Sequence, residues 1–323
     1  MHRARYRLVT RADFDGLVCA ALLREIDLVD DVLFVHSKDV HDGKVEITDR
    51  DITANLPYVA QAHRAFDHHA SEFVRDIGDR DNHVIDPDAP STARVVYEYY
   101  GGAERFPRIR PDLLDAVDKA ANARYDIDDI LDPSGWTLLN YLMDARTGLG
   151  RFRQFRISNY QLMLQLVDAC RSMPLHRILA LPDVRERIEL YDSHRALAIA
   201  QIRRCATVYD KVVLLDLRGE DPIYVTNRFM VYALFPQCTL SIHRIWGLRR
   251  QNTVLAIGKS ILDRSARVSV GSLCLRYGGG GHPGAGTCQV ENTWADRITR
   301  EIVDTLESYE AARVEFAGSR KDD

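Results

Sequence analysis

The chain has 323 residues, 46% of them hydrophobic, and 43 basic against 47 acidic side chains for a net charge of −4. That length exceeds one comfortable hydrophobic core and predicts two domains, and the average apolar content excludes disorder outside a short tail, Ser319–Asp323. The mildly acidic balance excludes wholesale coating of nucleic acid, which needs a broad basic surface, but leaves room for a local basic groove. No window of about 18 apolar residues is present, so no membrane span is expected. The basic start Met1-His2-Arg3-Ala4-Arg5 is followed by a strand-like run and an acidic loop with no apolar h-region, so no signal peptide is expected either. Six cysteines are scattered without a C-x-x-C pair. They read as small buried thiols of a reducing compartment, and the expected location is cytoplasmic.

Along the first hundred residues, short β-rich runs alternate with helical ones. Tyr6–Thr10, Val32–His36, Lys44–Thr48, Arg64–Phe66 and His83–Ile85 read as strands. Leu17–Ile26 reads as a helix, and another runs from about Ser91 to Tyr100 with Ser91 as its cap. This alternation predicts βαβ units, a parallel sheet and helices packed on its faces. From Pro111 the period turns helical, over Pro111–Ala123, Trp136–Ala145, Ile157–Cys170 and Pro182–Arg204, the last being a connector. A second β-rich block starts near Ala206, with strands Thr207–Asp216, Thr239–Trp246 and Thr253–Ile257 and helices Asn227–Phe235, Ser269–Arg276 and Thr293–Tyr309. The expected fold is α/β: an N-terminal doubly wound parallel sheet, a helical connector, and a smaller C-terminal α/β domain. The expected domains are 1–195 and 196–318, with 319–323 as a tail.

In open parallel sheets ligands bind outside the carboxyl ends of the strands. Asp13 and Asp15, then Asp49 or Asp51, then Asp67-His68-His69 all follow expected strands, so one rule gathers distant segments into one site. Asp13-Phe14-Asp15-Gly16 offers hard oxygen ligands on a short loop, which suit Mg²⁺ or Mn²⁺, and added imidazole nitrogen favours Mn²⁺. Asp15 alone would equally serve as a helix cap. Either Asp49 or Asp51 could face the crevice. In Asp67-His68-His69, alternating directions let one imidazole ligate metal while the other donates to a phosphate oxygen. Gly278–Gly281 with His282 reads as a loop whose backbone N–H groups form an anion nest. Arg94, Arg146, Arg228, Lys259 and Arg264 are candidates to balance phosphoryl charge.

These residues resemble the DHH phosphoesterase family with its DHH-associated C-terminal domain. The matches are Asp13-x-Asp15-Gly16, Asp67-His68-His69, Pro90-Ser91-Thr92-Ala93 opening a helix, and Gly279-Gly280-Gly281-His282-x-x-Ala285-Gly286, together spanning nearly the whole chain. The resemblance implies that Asp13, Asp15, one of Asp49 or Asp51, and His68 bind one or two Mn²⁺ or Mg²⁺ ions. Asp67, His68 and His69 would form the catalytic group, with His69 assisting the phosphoryl group. Gly279, Gly280, Gly281 and His282 would hold substrate from the second domain, with Arg228 and Lys259 beside them. Family members commonly carry a histidine two or four residues before the first aspartate, where this chain has Arg11 and Val9. Arg11 cannot ligate metal but can bind phosphate. The fourth family motif, often D-x-x-D, reads Asp118-Lys119-Ala120-Ala121, leaving Asp118 as the candidate acid.

The expectation is a metal-dependent phosphoesterase that cleaves phosphodiester or phosphoanhydride bonds in a cleft between two domains. Its substrates would be small and anionic: polyphosphate, dinucleotides or short single-stranded nucleic acid. The contrasting expectation, from Arg11 and Ala121, is a protein of this fold that binds a phosphate ligand without turnover. Apolar faces in the helical middle segment make a homodimer an expectation too.

Overall fold

The computed structural model describes residues 5–69 and 80–318, with 311–318 as backbone alone; the tail Ser319–Asp323 lies outside the described residues. The chain divides into two compact units, the first comprising Met1–Arg124 and Pro133–Leu190, the second Tyr125–Asp132 and Tyr191–Asp323.

The first unit is built on a five-stranded sheet of β1 (Tyr6–Arg11), β2 (Val29–Val35), β3 (Asp51–Ala54), β4 (Arg64–Asp67) and β5 (His83–Ile85), in the order β2-β1-β3-β4-β5. All neighbours are parallel, with Arg7 opposite Asp51 and Phe66 opposite Val84. The helix Phe14–Glu25 is buried along nearly its whole length, from Phe14 to Leu23, as its apolar composition on all sides requires. It packs between the helices Thr92–Tyr99 and Asn159–Ser172. On the other face Val9, Val40 and Leu56 form a small core closed by Leu33, Val35, Val45, Ile47 and Val59.

Lys44–Thr48 is not a strand, contrary to the sequence expectation. Val45 and Ile47 bury their side chains in that small core without pairing, and the strand beside β1 is Asp51–Ala54. Gly16 sits where the chain leaves β1 for its helix. A Cβ there would stand 2.1 Å from the Arg11 carbonyl oxygen, so the turn admits only glycine.

The second unit holds a six-stranded mixed sheet: β6 (Ala206–Tyr209), β7 (Val212–Asp216), β8 (Leu240–Trp246), β9 (Thr253–Lys259), β10 (Gly280–His282) and β11 (Ala285–Val290), ordered β10-β11-β9-β8-β7-β6. Only the β7–β8 pair is parallel. The helices Val270–Leu275 and Ala295–Gly318 supply the rest of its core, Leu273, Ile302 and Leu306 meeting Leu240, Ile242, Leu255 and Ile257. The expected strand Thr207–Asp216 is two strands, broken where Asp210 takes φ +44°. The short helix Ile127–Leu131 belongs with this unit: Asn227 Nδ2 donates to the Ile130 carbonyl at 2.9 Å, and Arg195 pairs with Asp132 at 2.7 Å. The helix Pro182–Cys205 is the covalent connector. Among the described residues no helix is long and apolar enough to cross a membrane, and all six cysteines are free.

Candidate active site

Parallel strands end on one edge, and there β1, β3 and β4 deliver Asp13 and Asp15, Asn55, and Asp67-His68-His69. Asp13 caps the helix Phe14–Glu25, accepting from Gly16 N at 3.0 Å. Its carboxylate also accepts from Asn55 Nδ2 at 3.0 and 3.3 Å and meets Arg11 Nε at 3.0 Å. Asn55 is buried, and its left-handed φ of +57° is a backbone state in which asparagine is enriched.

Asp15 is buried at the start of the helix Thr92–Tyr99, whose first N–H groups have no partner within the helix. Thr92 N and Ala93 N donate to its two oxygens at 3.0 and 2.8 Å, a geometry favoured by the helix dipole. That helix start is itself braced. Ser91 Oγ accepts from Arg94 N and donates to Asp118 Oδ1 at 2.6 Å, while Arg94 forks onto Asp118 Oδ2 at 3.0 and 2.6 Å.

Asp67, 1% exposed, ends β4; its Oδ1 accepts from His68 N at 2.9 Å and from His69 Nδ1 at 2.7 Å. His68 Nδ1 lies 2.8 Å from Thr92 Oγ1 and 3.9 Å from Asp15 Oδ2. Burial, with help from neighbouring His69, lowers the His68 imidazole to about 4, so it is neutral and able to ligate at pH 7. For His69 the same burial is outweighed by the hydrogen bond and charge of Asp67, and its pKa rises. Burial and then the charge of Asp13 push the Asp15 carboxyl up to about 7, against the pull of its two backbone donors.

This clustering of acids fits a cation. Asp67, His68 and His69 place ligand atoms within 4.8 Å of one another, and mixed carboxylate and imidazole donors suit Mn²⁺.

Other expected ligands lie elsewhere. Asp51 opens β3 at the opposite edge of the sheet, where Arg7 Nε at 2.6 Å and Thr48 N at 2.7 Å hold its carboxylate. Asp49 is exposed in the turn before it. Asp118 spends its oxygens on Ser91 and Arg94. The residue that follows β3 on the site edge is Asn55, which the sequence reading missed. Recognising Asp51–Ala54 as the buried strand would have found it. Arg146 forks onto Asp144, and Arg264 Nε donates to the Ile261 carbonyl.

In the second unit, Gly278–Gly281 is not a loop throughout. Gly280–His282 is strand β10, paired with β11. The glycines there have a packing reason: a Cβ on Gly279 would stand 2.1 Å from the Thr287 carbonyl oxygen, and one on Gly281 2.3 Å from that of Ala285. His282 is exposed and its Nδ1 accepts from Gly284 N at 3.2 Å. Lys259 ends β9, half-buried, and burial lowers its ammonium pKa. The Arg228 guanidinium lies 4.4 Å from the Phe229 ring centre, with a buried Nε that has no hydrogen-bond partner among the described residues.

No protein-family model matches the chain. No curated protein matches it either. Among solved structures, a pGpG-specific phosphodiesterase from Vibrio cholerae is 55% identical, covering 94% of this chain and 99% of that one, with a TM-score of 0.81. An exopolyphosphatase-related protein from Bacteroides fragilis shares the fold at 12% identity, 96% and 94% coverage and a TM-score of 0.52. So does a DHH domain from a member of the S1p family of ribosomal proteins, at 12% identity, 95% and 87% coverage and a TM-score of 0.50. The chain belongs to the DHH phosphoesterase family. It is a hydrolase acting on phosphoester bonds.

Proposed function

We propose that the chain is a metal-dependent phosphodiesterase of short linear dinucleotides of the pGpG type. The observation that carries this reading is the convergence of Asp13, Asp15, Asp67, His68 and His69 on one strand edge. The substrate class is supported by the 55% identity to a pGpG-specific phosphodiesterase over nearly all of both chains.

Asp13, Asp15, Asp67 and neutral His68 would hold the ion. A divalent cation bound there polarises a phosphoryl oxygen and makes water a better nucleophile near neutral pH. His69, with its Nδ1 on Asp67, would use Nε2 to give or take a proton at the phosphate. Thr92 N and Ala93 N keep Asp15 oriented, and Asp118 acts behind them by fixing Ser91 and Arg94. The Arg11 guanidinium on Asp13 and the neutral Asn55 amide favour one ion over two. In the second unit, Arg228, Lys259, His282 and the chain at Gly279, Gly280 and Gly281 remain the candidates for holding substrate.

Purified protein should release mononucleotide from pGpG with Mn²⁺ or Mg²⁺, with slower cleavage of a cyclic dinucleotide, long oligonucleotides and polyphosphate. No turnover of pGpG with any divalent ion, or turnover that survives chelation, would overturn the reading.

A further inference from the structure

The site edge carries mainly negative charge, from Asp13, Asp15 and Asp67, with Arg11 already committed to Asp13. A substrate with a terminal phosphate monoester brings a charge of about −1.5 to −2 to such an edge. Beyond the ion proposed there, a terminal phosphate calls for cationic side chains of its own, and the segment 144–157 of the first unit carries them.

Its sequence, Arg151-Phe152-Arg153-Gln154-Phe155-Arg156, interleaves guanidinium groups with rings. It leads into the helix Asn159–Ser172 through the cap Ser158. The late residues of that helix meet the late residues of Phe14–Glu25: Arg24 Nη1 reaches Asp168 at 2.9 Å, and Arg171 Nε lies 3.5 Å from Glu25. The two packed helices therefore run the same way, and their N-termini share one edge. Because Asp13 caps the first of them, the end of the arginine segment that leads into Ser158 comes to the site's edge. Packed helices are about 8–10 Å apart, so Ser158 stands about one helix spacing from Asp13, and the chain before it stays close, a Cβ on Gly150 standing 4.0 Å from Asn159 Nδ2.

The segment is held at both ends. Arg146 forks onto its neighbour Asp144 at 2.7 and 2.8 Å, and Thr147 Oγ1 donates to the Tyr141 carbonyl at 2.6 Å. Arg156 forks onto Asp183 at 2.9 and 2.6 Å, and fully buried Arg187 donates to the Ile157 carbonyl at 2.7 Å. Arg151 and Arg153 differ from these arginines. Both are exposed residues, although packing around the Arg151 guanidinium desolvates it and lowers its pKa, and neither makes an ion pair or side-chain hydrogen bond among the described residues. Phe152 between them is extended (φ −98°, ψ 132°) and half-buried, and the two arginines flank it in sequence. Arg151 is folded over Gly148: its Nη1 lies 1.9 Å from where a Cβ on Gly148 would stand.

We propose that Arg151 and Arg153 form a subsite for the terminal phosphate of the dinucleotide, an inference that rests on the phosphodiesterase reading above. Two unpaired guanidinium groups match a phosphate monoester dianion in charge and offer it forked hydrogen bonds. A phosphodiester, with a single charge, would need only one of them.

The test is equilibrium binding of pGpG and of GpG, the same dinucleotide without its terminal phosphate, to the full chain with Ca²⁺ in place of Mn²⁺. The wild type should prefer pGpG by about tenfold or more. In R151Q/R153Q that preference should fall toward one, and R153Q alone, whose side chain covers no glycine, should lose part of it. A wild type without preference for pGpG, or a double variant that keeps it, overturns the subsite. Absence of Mn²⁺-dependent turnover alongside a preference that R151Q/R153Q abolishes would instead sink the phosphodiesterase reading and leave the subsite standing.

Discussion

Asp15 receives two backbone donors on one side and approaches His68 on the other, inside an interior that raises its pKa to about 7. Asp15→Asn keeps the shape but sets an amide N–H₂ against donors that need an acceptor, and removes a charge a cation would use. Turnover should fall by about 100-fold or more, with weaker Mn²⁺ binding in a metal titration. Unaltered turnover would mean Asp15 is only a structural anchor of the helix Thr92–Tyr99. Arg11 makes a different case, since its ion pair with Asp13 is partly exposed and worth about 1 kcal/mol at most. Arg11→His exchanges a competing cation for a ligand nitrogen and should raise Mn²⁺ affinity. Affinity unchanged or lowered would show that Arg11 does not stand in the ion's way.

At the scale of the element, two turns around β1 and β3 decide whether the site edge forms. Gly16→Ala forces a methyl into the Arg11 carbonyl and should cost about 1–3 kcal/mol in denaturant unfolding, by displacing the very loop that carries Asp13 and Asp15. At the opposite edge Asp51 is a stabiliser. Burial alone would raise its pKa, but Arg7 and Thr48 outweigh burial and lower it. A depressed folded pKa gives stability that is present above the unfolded value of about 3.9 and is lost as the pH falls below it. Asp51→Asn should therefore melt lower than wild type at pH 7, by about 2 kcal/mol, with the gap narrowing below about pH 4. A pH-independent gap would assign the loss to packing. These edges also explain what was legible in the chain. Arg64–Asp67 was readable because a short apolar run stops at an acid and two histidines. Lys44–Thr48 misled because it alternates like a strand while its apolar residues merely fill a small core. Asp51–Ala54, buried on both faces, has no alternation to read, so Asn55 went unnoticed. The glycine run concealed β10 because glycine has no strand preference; close approach to β11 makes the strand.

For the molecule as a whole, a net charge of −4 sets the range of partners. Counterion release from many phosphate contacts drives binding to long strands, and a net negative charge disfavours such contacts. Long single-stranded RNA at physiological salt should therefore compete no better for the protein than its equivalent in dinucleotide. Strong competition would point to a nucleic-acid groove. The interrupted course of the chain bears on how the protein is made. Residues 125–132 belong with partners synthesised far later, Ile130 waiting for Asn227, 97 residues downstream. At about 5–20 residues per second a ribosome needs roughly 5–20 s to deliver that asparagine. During that interval the helix Ile127–Leu131 emerges without its packing surface, leaving Tyr125 and Ile130 open to chaperones or proteases. A polypeptide released near residue 190 would carry that exposed stretch permanently, so premature termination there should yield a product the cell clears instead of a working half.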